Sequence, residues 1–228
     1  METARSKSHQ TTARIVGVLF IIGTVSGILS AVYTGGIFTD PDYLTKVAEN
    51  EPLVILGAAF VLVMGFSLAM VPVMMFPIFK KKNEALALGA VIFRGPVEAV
   101  MYILTVISWL LLITLGKEFV SAGMPANSHF QNLGAVLVQS GNQINQILEI
   151  VFSLGALMFY TLFYQTRLIP RWLSLWGVIG AVLYHIAGWT DLFGVDMGVL
   201  IFPLALQEMV MAVWLIVKGF NQTAIEEG

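Results

Sequence analysis

The sequence predicts an all-α integral membrane protein in which six transmembrane helices form one bundle. Of the 228 residues, 57% are hydrophobic and only 11% are charged, and the mean hydropathy is +0.84. A soluble domain carries roughly 25% charged residues, so this chain has too few charges to cover a surface in water. The apolar residues are also grouped into six stretches, each long enough to cross a bilayer as a helix. We therefore treat all of residues 1–228 as one membrane domain.

Each predicted span begins and ends where polar residues or turn formers interrupt an apolar run. The first span follows a polar segment, residues 1–13, which we predict to be a cytoplasmic tail. Gly23 and Gly27 give this span a GxxxG spacing, which favours close helix packing. The six predicted spans are residues 14–33, 53–79, 85–116, 132–166, 172–192 and 198–217.

Two of the predicted connections are long. Residues 38–52 are rich in acidic side chains, and their apolar positions are compatible either with a short amphipathic helix or with an ordinary loop. Residues 117–130 are predicted to form a polar loop that contains Pro125 and Asn127.

The basic residues predict the orientation of the bundle. Lys and Arg are concentrated in the amino-terminal tail, in the turns at residues 80–82 and 167–171, and at Lys218. In a six-span topology these four segments lie on the same side of the membrane. The opposite side has only Lys46 and Lys117. Because basic residues accumulate on the cytoplasmic side, we expect a multi-pass protein of the bacterial cytoplasmic membrane with both termini inside the cell.

The third span contains charges that a lipid-facing helix would not carry. Residues 90–105 read AVIFRGPVEAVMYILT, and Arg94, Glu98 and Tyr102 recur at intervals of four, so a helix places them on one face. A charge at the centre of a membrane helix costs about 2.5–3.5 kcal/mol on insertion scales, so it needs a partner or a wet cavity. Gly95 and Pro96 interrupt the helix between the two charges, because proline removes one backbone hydrogen bond.

A polar stripe runs along the fourth span. Gln139, Asn142, Gln146, Glu149 and Ser153 follow one another at steps of three and four, which is one face of a helix. Since lipid does not satisfy such groups, we expect this face to be buried in the protein or to contact water.

A helix rise of about 1.5 Å per residue places the ionisable groups of four spans in the middle and outer part of the membrane. One Arg cannot neutralise three carboxylates, so at least one Glu is protonated or faces water. We interpret the set as a ligand pocket in which Arg94 binds an anionic group, although a purely structural polar core is the alternative. The candidate pocket residues are Arg94, Glu98, Tyr102, Gln139, Asn142, Gln146, Glu149, His185 and Glu208.

Four stretches of the chain resemble a known family of bacterial membrane proteins. They are TARIVGVLFIIGTVSGI near the start, FRGPVEAVMY in the third span, FYQTRLIPRWLSLWGVIG across the last basic turn, and QEMVMAVWLIVKGFN near the end. Together they resemble the family called domain of unknown function 4386. The resemblance implies six membrane helices and includes the Arg94-x-x-x-Glu98 pattern, but it implies no catalytic residue and no substrate.

Several functions are excluded or disfavoured by composition. The chain has no Cys, no Glu-x-x-His spacing on one helix and no basic patch interleaved with aromatics, so we expect no cofactor, no metal and no nucleic acid. The expected partners are the lipid bilayer and a small-molecule or lipid-like ligand, which the protein would bind or transport. One alternative is an intramembrane acid–base enzyme acting on a lipid or isoprenoid, with a Glu as acid and His185 or another Glu as base. The other is a non-catalytic accessory or sensor protein.

Overall fold

The structure, a computed structural model, describes residues 2–124 and 129–226, and side chains between residues 9 and 224 of these ranges. The predicted loop residues Pro125 and Asn127 lie outside the described residues. Those residues contain helices and turns and no strand. The helices are α1 (Glu2–Thr34), α2 (Tyr43–Glu49), α3 (Glu51–Phe79), α4 (Glu84–Ile92), a π-helical segment (Phe93–Val97), α5 (Glu98–Ser121), α6 (His129–Thr166), α7 (Arg171–Leu192), a 3₁₀ turn (Gly198–Ile201), α8 (Phe202–Val217) and α9 (Gln222–Glu226).

Six helical spans are long and apolar enough to cross a membrane, as the sequence predicted. They are α1, α3, the continuous unit α4–π–α5, α6, α7, and the 3₁₀ turn with α8. Each span packs against the next along the chain, and α8 also packs against α1. The bundle is therefore a closed ring, and its interior is shared by all six spans.

The two ends of the ring differ in charge. The first part of α1 and the segment after α8 lie at the end that also carries the basic turns, because Gln10 and Phe220 exchange two hydrogen bonds of 2.8 and 3.1 Å and the Asn221 amide donates to Leu168 O. We call this the basic end, and the opposite end, where α2 lies, the far end.

Three local features differ from the predicted boundaries. Residues 2–13 continue helix α1, since they contain no Pro or Gly to stop it. Helix α5 runs to Ser121 and α6 begins at His129, so the connection between them is shorter than residues 117–130. Residues 38–52 include the short helix α2, which buries Leu44 and Val47 and lies against Gly116 of α5.

Helix α6 is longer than the helix that follows it. The two helices are joined by a short turn at the basic end, but α6 has 38 residues and α7 has 22. The amide of Gln146 reaches the carbonyl of Asp191 in the last turn of α7. At about 1.5 Å per residue, the part of α6 before Gln146 extends about 25 Å past that contact.

Candidate functional site

The break in the third span determines where Arg94 lies. Pro96 disfavours a helical conformation for the residue before it, and Gly95 has non-helical angles, φ −104° and ψ −106°. The surrounding turn is π-helical, a feature that frequently occurs at functional sites. Gly155 of α6 permits close contact here, because a Cβ at that position would lie 2.5 Å from Arg94 Cγ and 2.8 Å from Arg94 N. Arg94 is therefore held in the interior, with no exposed surface.

Arg94 pairs with a carboxylate from the last span. Its Nη1 donates to Oε1 of Glu208 over 2.9 Å, and the hydroxyl of Tyr160 donates to the same oxygen over 2.9 Å. The other oxygen of Glu208 makes no hydrogen bond to a described residue, and this side chain is 12% exposed. Charge-assisted bonds of this length are among the stronger polar contacts in a protein. This contact links the third, fourth and sixth spans at one point.

The second carboxylate lies on the helix of Arg94 itself. Glu98 Oε2 is 3.6 Å from Arg94 Nε, and Oε1 accepts a 3.3 Å hydrogen bond from Tyr102. Glu98 is 1% exposed, and its Oε2 and two nitrogens of Arg94, Nε and Nη2, have no hydrogen-bond partner among the described residues. The guanidinium lies 4.4 Å from the ring centroid of Phe152, which provides a cation–π contact. We call Arg94, Glu98, Tyr160 and Glu208 the Arg94 cluster.

The Arg94 cluster contains one cation and two carboxylates. In a medium of low dielectric constant an uncompensated charge is costly. Arg94 can balance one of the two carboxylates, so the other requires a proton or a further cation. The oxygen of the cluster that remains available for such a cation is Oε2 of Glu208, since Glu98 is enclosed.

A cavity of about 480 Å³ opens beside the cluster in the far half of the bundle. Each of the six spans contributes to its wall. Its polar side chains include Glu208, Glu149, Tyr102 and Tyr184, and none of its fifteen lining residues is Lys, Arg or His. The full lining is Gly23, Thr24, Gly27, Ile28, Met64, Leu68, Tyr102, Asn145, Leu148, Glu149, Phe152, Tyr184, Leu204, Ala205 and Glu208. The cavity is therefore acidic and largely apolar.

This arrangement does not support the prediction that Arg94 binds an anionic group of a ligand. Arg94 is fully buried behind Glu208 and is not part of the cavity wall. Of the nine predicted residues, Tyr102, Glu149 and Glu208 line the cavity, and Arg94 and Glu98 lie directly behind it. Glu149 is half-buried and makes no hydrogen bond or ion pair with a described residue.

The polar stripe of α6 is only partly in the interior. Gln146 binds the Asp191 carbonyl and does not line the cavity. Gln139 and Asn142 are exposed, so the burial of this face is confined to its later part, from Gln146 to Ser153. The reason is that α7 ends at Leu192, and the part of α6 that carries both residues extends past it.

His185 lies in a separate hydrogen-bond network between α6 and α7. The indole of Trp189 donates to its Nε2 over 3.0 Å, which leaves Nδ1 to donate to Ser153 Oγ over 2.8 Å. Ser153 in turn donates to the carbonyl of Ile150. Both ring nitrogens are thus occupied, and His185 is not part of the cavity wall. No hydrogen bond or ion pair joins His185 to a Glu among the described side chains, so the acid–base pair suggested for an enzyme is not formed by direct contact.

The sequence reasoning missed several polar residues of this region. Tyr160 continues the α6 stripe at steps of three and four beyond Ser153, so the same periodicity could have identified it. Tyr184 and Asn145 line the cavity, but the sequence analysis selected the residue that follows each of them, His185 and Gln146, instead. Gln207 is fully buried, its amide donates to Leu173 O and its Oε1 has no partner among the described residues, and no sequence signal marks it.

Within the described side chains, no group of three or more His, Cys, Asp or Glu is arranged to hold a metal ion. The charge deficit of the Arg94 cluster can be met by a proton or by a bound cation.

The comparison with family models returned one match, the domain of unknown function DUF4386, over residues 15–219. Searches of curated proteins and of solved structures gave no significant match. The match covers most of the chain, and the protein therefore belongs to the DUF4386 family.

Proposed function

We propose that this DUF4386 protein binds a small organic cation with an apolar body in the far-half cavity. The observation that carries the proposal is a cavity of about 480 Å³ that has two carboxylates in its wall and no basic residue. Ligand pockets of roughly 300–1,000 Å³ are typical for small molecules. An ammonium or similar cation at Glu208 would supply the positive charge that the Arg94 cluster lacks.

The wall of the cavity also suits such a ligand. Tyr102, Phe152 and Tyr184 supply aromatic surface, and the rings of Phe152 and Tyr184 are 4.8 Å apart. Aromatic faces attract cations, by about 0.5–2 kcal/mol per contact according to how far the cation is desolvated. The remaining wall is mainly aliphatic, which favours an apolar ligand body.

Transport is the natural extension of binding. The cavity opens in the far half, while the basic-end half is filled by packed aromatic side chains, an arrangement that would expose the site to one side of the membrane at a time. We further propose that the basic end faces the bacterial cytoplasm, so that the cavity opens toward the outside. A ligand would then enter from the outer leaflet or from the external solution.

The test compares two ions of matched shape and opposite charge. The protein in nanodiscs is titrated with tetraphenylphosphonium or tetraphenylborate by calorimetry, and the heat for empty nanodiscs is subtracted. We expect saturable binding of the phosphonium only. In Glu208→Gln and Glu149→Gln we expect its affinity to fall roughly tenfold each, since a tenfold change corresponds to about 1.4 kcal/mol.

Glu84→Gln is the matched control, because it removes the same charge from an exposed position near the basic end and should leave binding unchanged. Equal binding of both ions, or loss of binding in the control as well, would contradict the proposal. Absence of binding by either ion would favour the accessory or sensor interpretation. A chemically altered lipid in extracts of cells that express the protein would favour the enzyme interpretation.

A further inference from the structure

A second pocket of about 440 Å³ lies at the basic end, separate from the Arg94 cluster. It is formed by the turn between α6 and α7, which spans residues 167–171, and by the end of α8. Arg167, Arg171 and Lys218 line it, and none of the described residues in its wall is acidic. None of these three cations forms an ion pair with a described residue. The pocket thus gathers three exposed positive charges around one space.

The walls of this pocket are fixed by hydrogen bonds and burial. The amide of Asn221 donates to Leu168 O over 2.9 Å, and Leu168 and Ile169 are each 1% exposed. Phe220 is buried and held by both hydrogen bonds to Gln10. The cations are therefore presented by a well-anchored backbone.

Arg167 has a backbone conformation that usually belongs to glycine. It follows the end of α6 with φ +56°, as Met124 follows the end of α5 with φ +54°, whereas the left-handed residues near the ends of α1, α7 and α8 are Gly36, Gly194 and Gly219. Glycine is the favoured residue at such a helix end, because a side chain is strained there. An arginine that keeps this conformation is a feature that functional sites often show.

Tryptophans place the pocket at the depth of lipid headgroups. Trp214 is part of its wall, its ring centroid lies 6.4 Å from that of Trp172, and Trp172 lies 6.4 Å from Trp176. Tryptophan is enriched at the membrane–water interface, where its apolar ring and polar N–H suit both sides. The indole N–H of Trp214 makes no hydrogen bond to a described residue, so it is available as a further donor.

We propose that this basic-end pocket binds the phosphate of an anionic phospholipid headgroup. The three cations and the indole N–H are donors suited to phosphate oxygens, and basic pockets between membrane helices are known to take such headgroups. The partly exposed ring of Trp214 supplies an apolar side along which the glycerol and the upper acyl chain can lie. The site does not depend on the far-half cavity or on its ligand.

Native mass spectrometry of the detergent-purified protein tests this inference. Phosphatidylglycerol and phosphatidylcholine with identical acyl chains are compared, and we expect at least tenfold tighter binding of the anionic lipid. The triple variant Arg167→Gln/Arg171→Gln/Lys218→Gln should lose on the order of a hundredfold, since each basic residue near the surface contributes about a fivefold effect. The control is Lys80→Gln/Lys81→Gln/Lys82→Gln, which removes the same charge from another turn at the same end and should keep the preference.

An equal loss of the preference for phosphatidylglycerol in both triple variants would overturn the proposed lipid site, because the preference would then follow net charge alone. Inorganic phosphate is the second arm of the experiment. If it binds the lipid-free protein as tightly as phosphatidylglycerol does, the site belongs to a soluble phosphate compound and the lipid assignment is overturned.

The single variant Arg167→Gly gives an independent test that does not rely on the triple variant folding. Glycine should relieve the strained conformation, so the melting temperature should rise while the preference for phosphatidylglycerol falls. A purely structural role for Arg167 predicts no loss of lipid preference, and that result would remove Arg167 from the site.

Discussion

The two halves of the bundle are built from the same six spans, yet the interior of one half is filled and the interior of the other contains a cavity. In the basic-end half, Phe20, Phe79, Phe159 and Phe163 pack together, and ring centroids in this group lie 5.0–6.3 Å apart. One turn further along α1, Gly23 and Gly27 replace the aromatic side chain, and the cavity begins. The difference shows that the size of the inward-facing side chains, and not the number of helices, determines where the cavity lies.

The Arg94 cluster lies at the boundary between the two halves. The guanidinium is 5.8 Å from the ring centroid of Phe20 and 4.4 Å from that of Phe152, and Phe152 also lines the cavity. Glu208 alone in the cluster faces the cavity. The buried charge is thus enclosed by aromatic packing on one side and reaches the open half through one carboxylate.

The largest expected effect concerns which half is accessible from outside the cell. The chain contains no Cys, so a single Cys can be introduced at Lys81, at the basic end, or at Asp42, at the far end; both positions are exposed. With an impermeant thiol reagent on intact cells, we expect labelling at position 42 and none at position 81 until the cells are opened. Labelling of position 81 in intact cells would reverse the orientation and place the cavity opening inside.

Arg94→Met should have the next largest effect. The substitution leaves Glu98 and Glu208 buried without their cation, and breaking a buried ion pair by removing one partner costs about 3–5 kcal/mol. The measurement is the free energy of unfolding in detergent, which is obtained from a denaturant titration.

The matched rescue is the triple variant Arg94→Met/Glu98→Gln/Glu208→Gln. If the loss comes from unpaired charge, removing both carboxylates should recover much of it, since neutral side chains can replace a buried ion pair. No recovery would indicate that Arg94 acts mainly through packing against Phe152 and Gly155.

Two glycine substitutions compare the tightness of the two regions directly. In Gly155→Ala the new methyl group meets Arg94 backbone and Cγ at 2.8 and 2.5 Å, so we expect a loss of about 1–3 kcal/mol from overpacking. In Gly27→Ala the contact is Sδ of Met64 at 2.8 Å, and a flexible thioether can move into the adjacent cavity. The second loss should therefore be smaller in thermal unfolding, and equal losses would contradict the view that the far half has room.

The fold was predictable because each span is an apolar run of sufficient length, a property that one sequence displays. Part of the site was predictable for a similar reason, since Arg94, Glu98 and Tyr102 share a face by local spacing. The partnership of Arg94 with Glu208 was not, because it depends on how spans far apart in the chain meet in the ring. Tyr184 and His185 illustrate the limit. Adjacent residues on a helix differ by about 100° in direction, and that rotation decides which of the two lines the cavity.

The smallest expected effect separates the His185 network from the cavity. Ser153→Ala removes the acceptor of the His185 Nδ1–H, and one polar contact between membrane helices contributes about 0.6 kcal/mol, so the loss of stability should be of that size. Binding of the organic cation should stay unchanged, because neither Ser153 nor His185 is part of the cavity wall.

Glu149→Gln should behave in the opposite way. Glu149 lines the cavity but makes no hydrogen bond to a described residue, so cation binding should weaken while stability is retained. Measuring both variants by thermal unfolding and by calorimetry gives a crossed pattern if the two networks are independent. A loss of cation binding in Ser153→Ala would instead couple His185 to the site and make the imidazole a candidate for proton transfer.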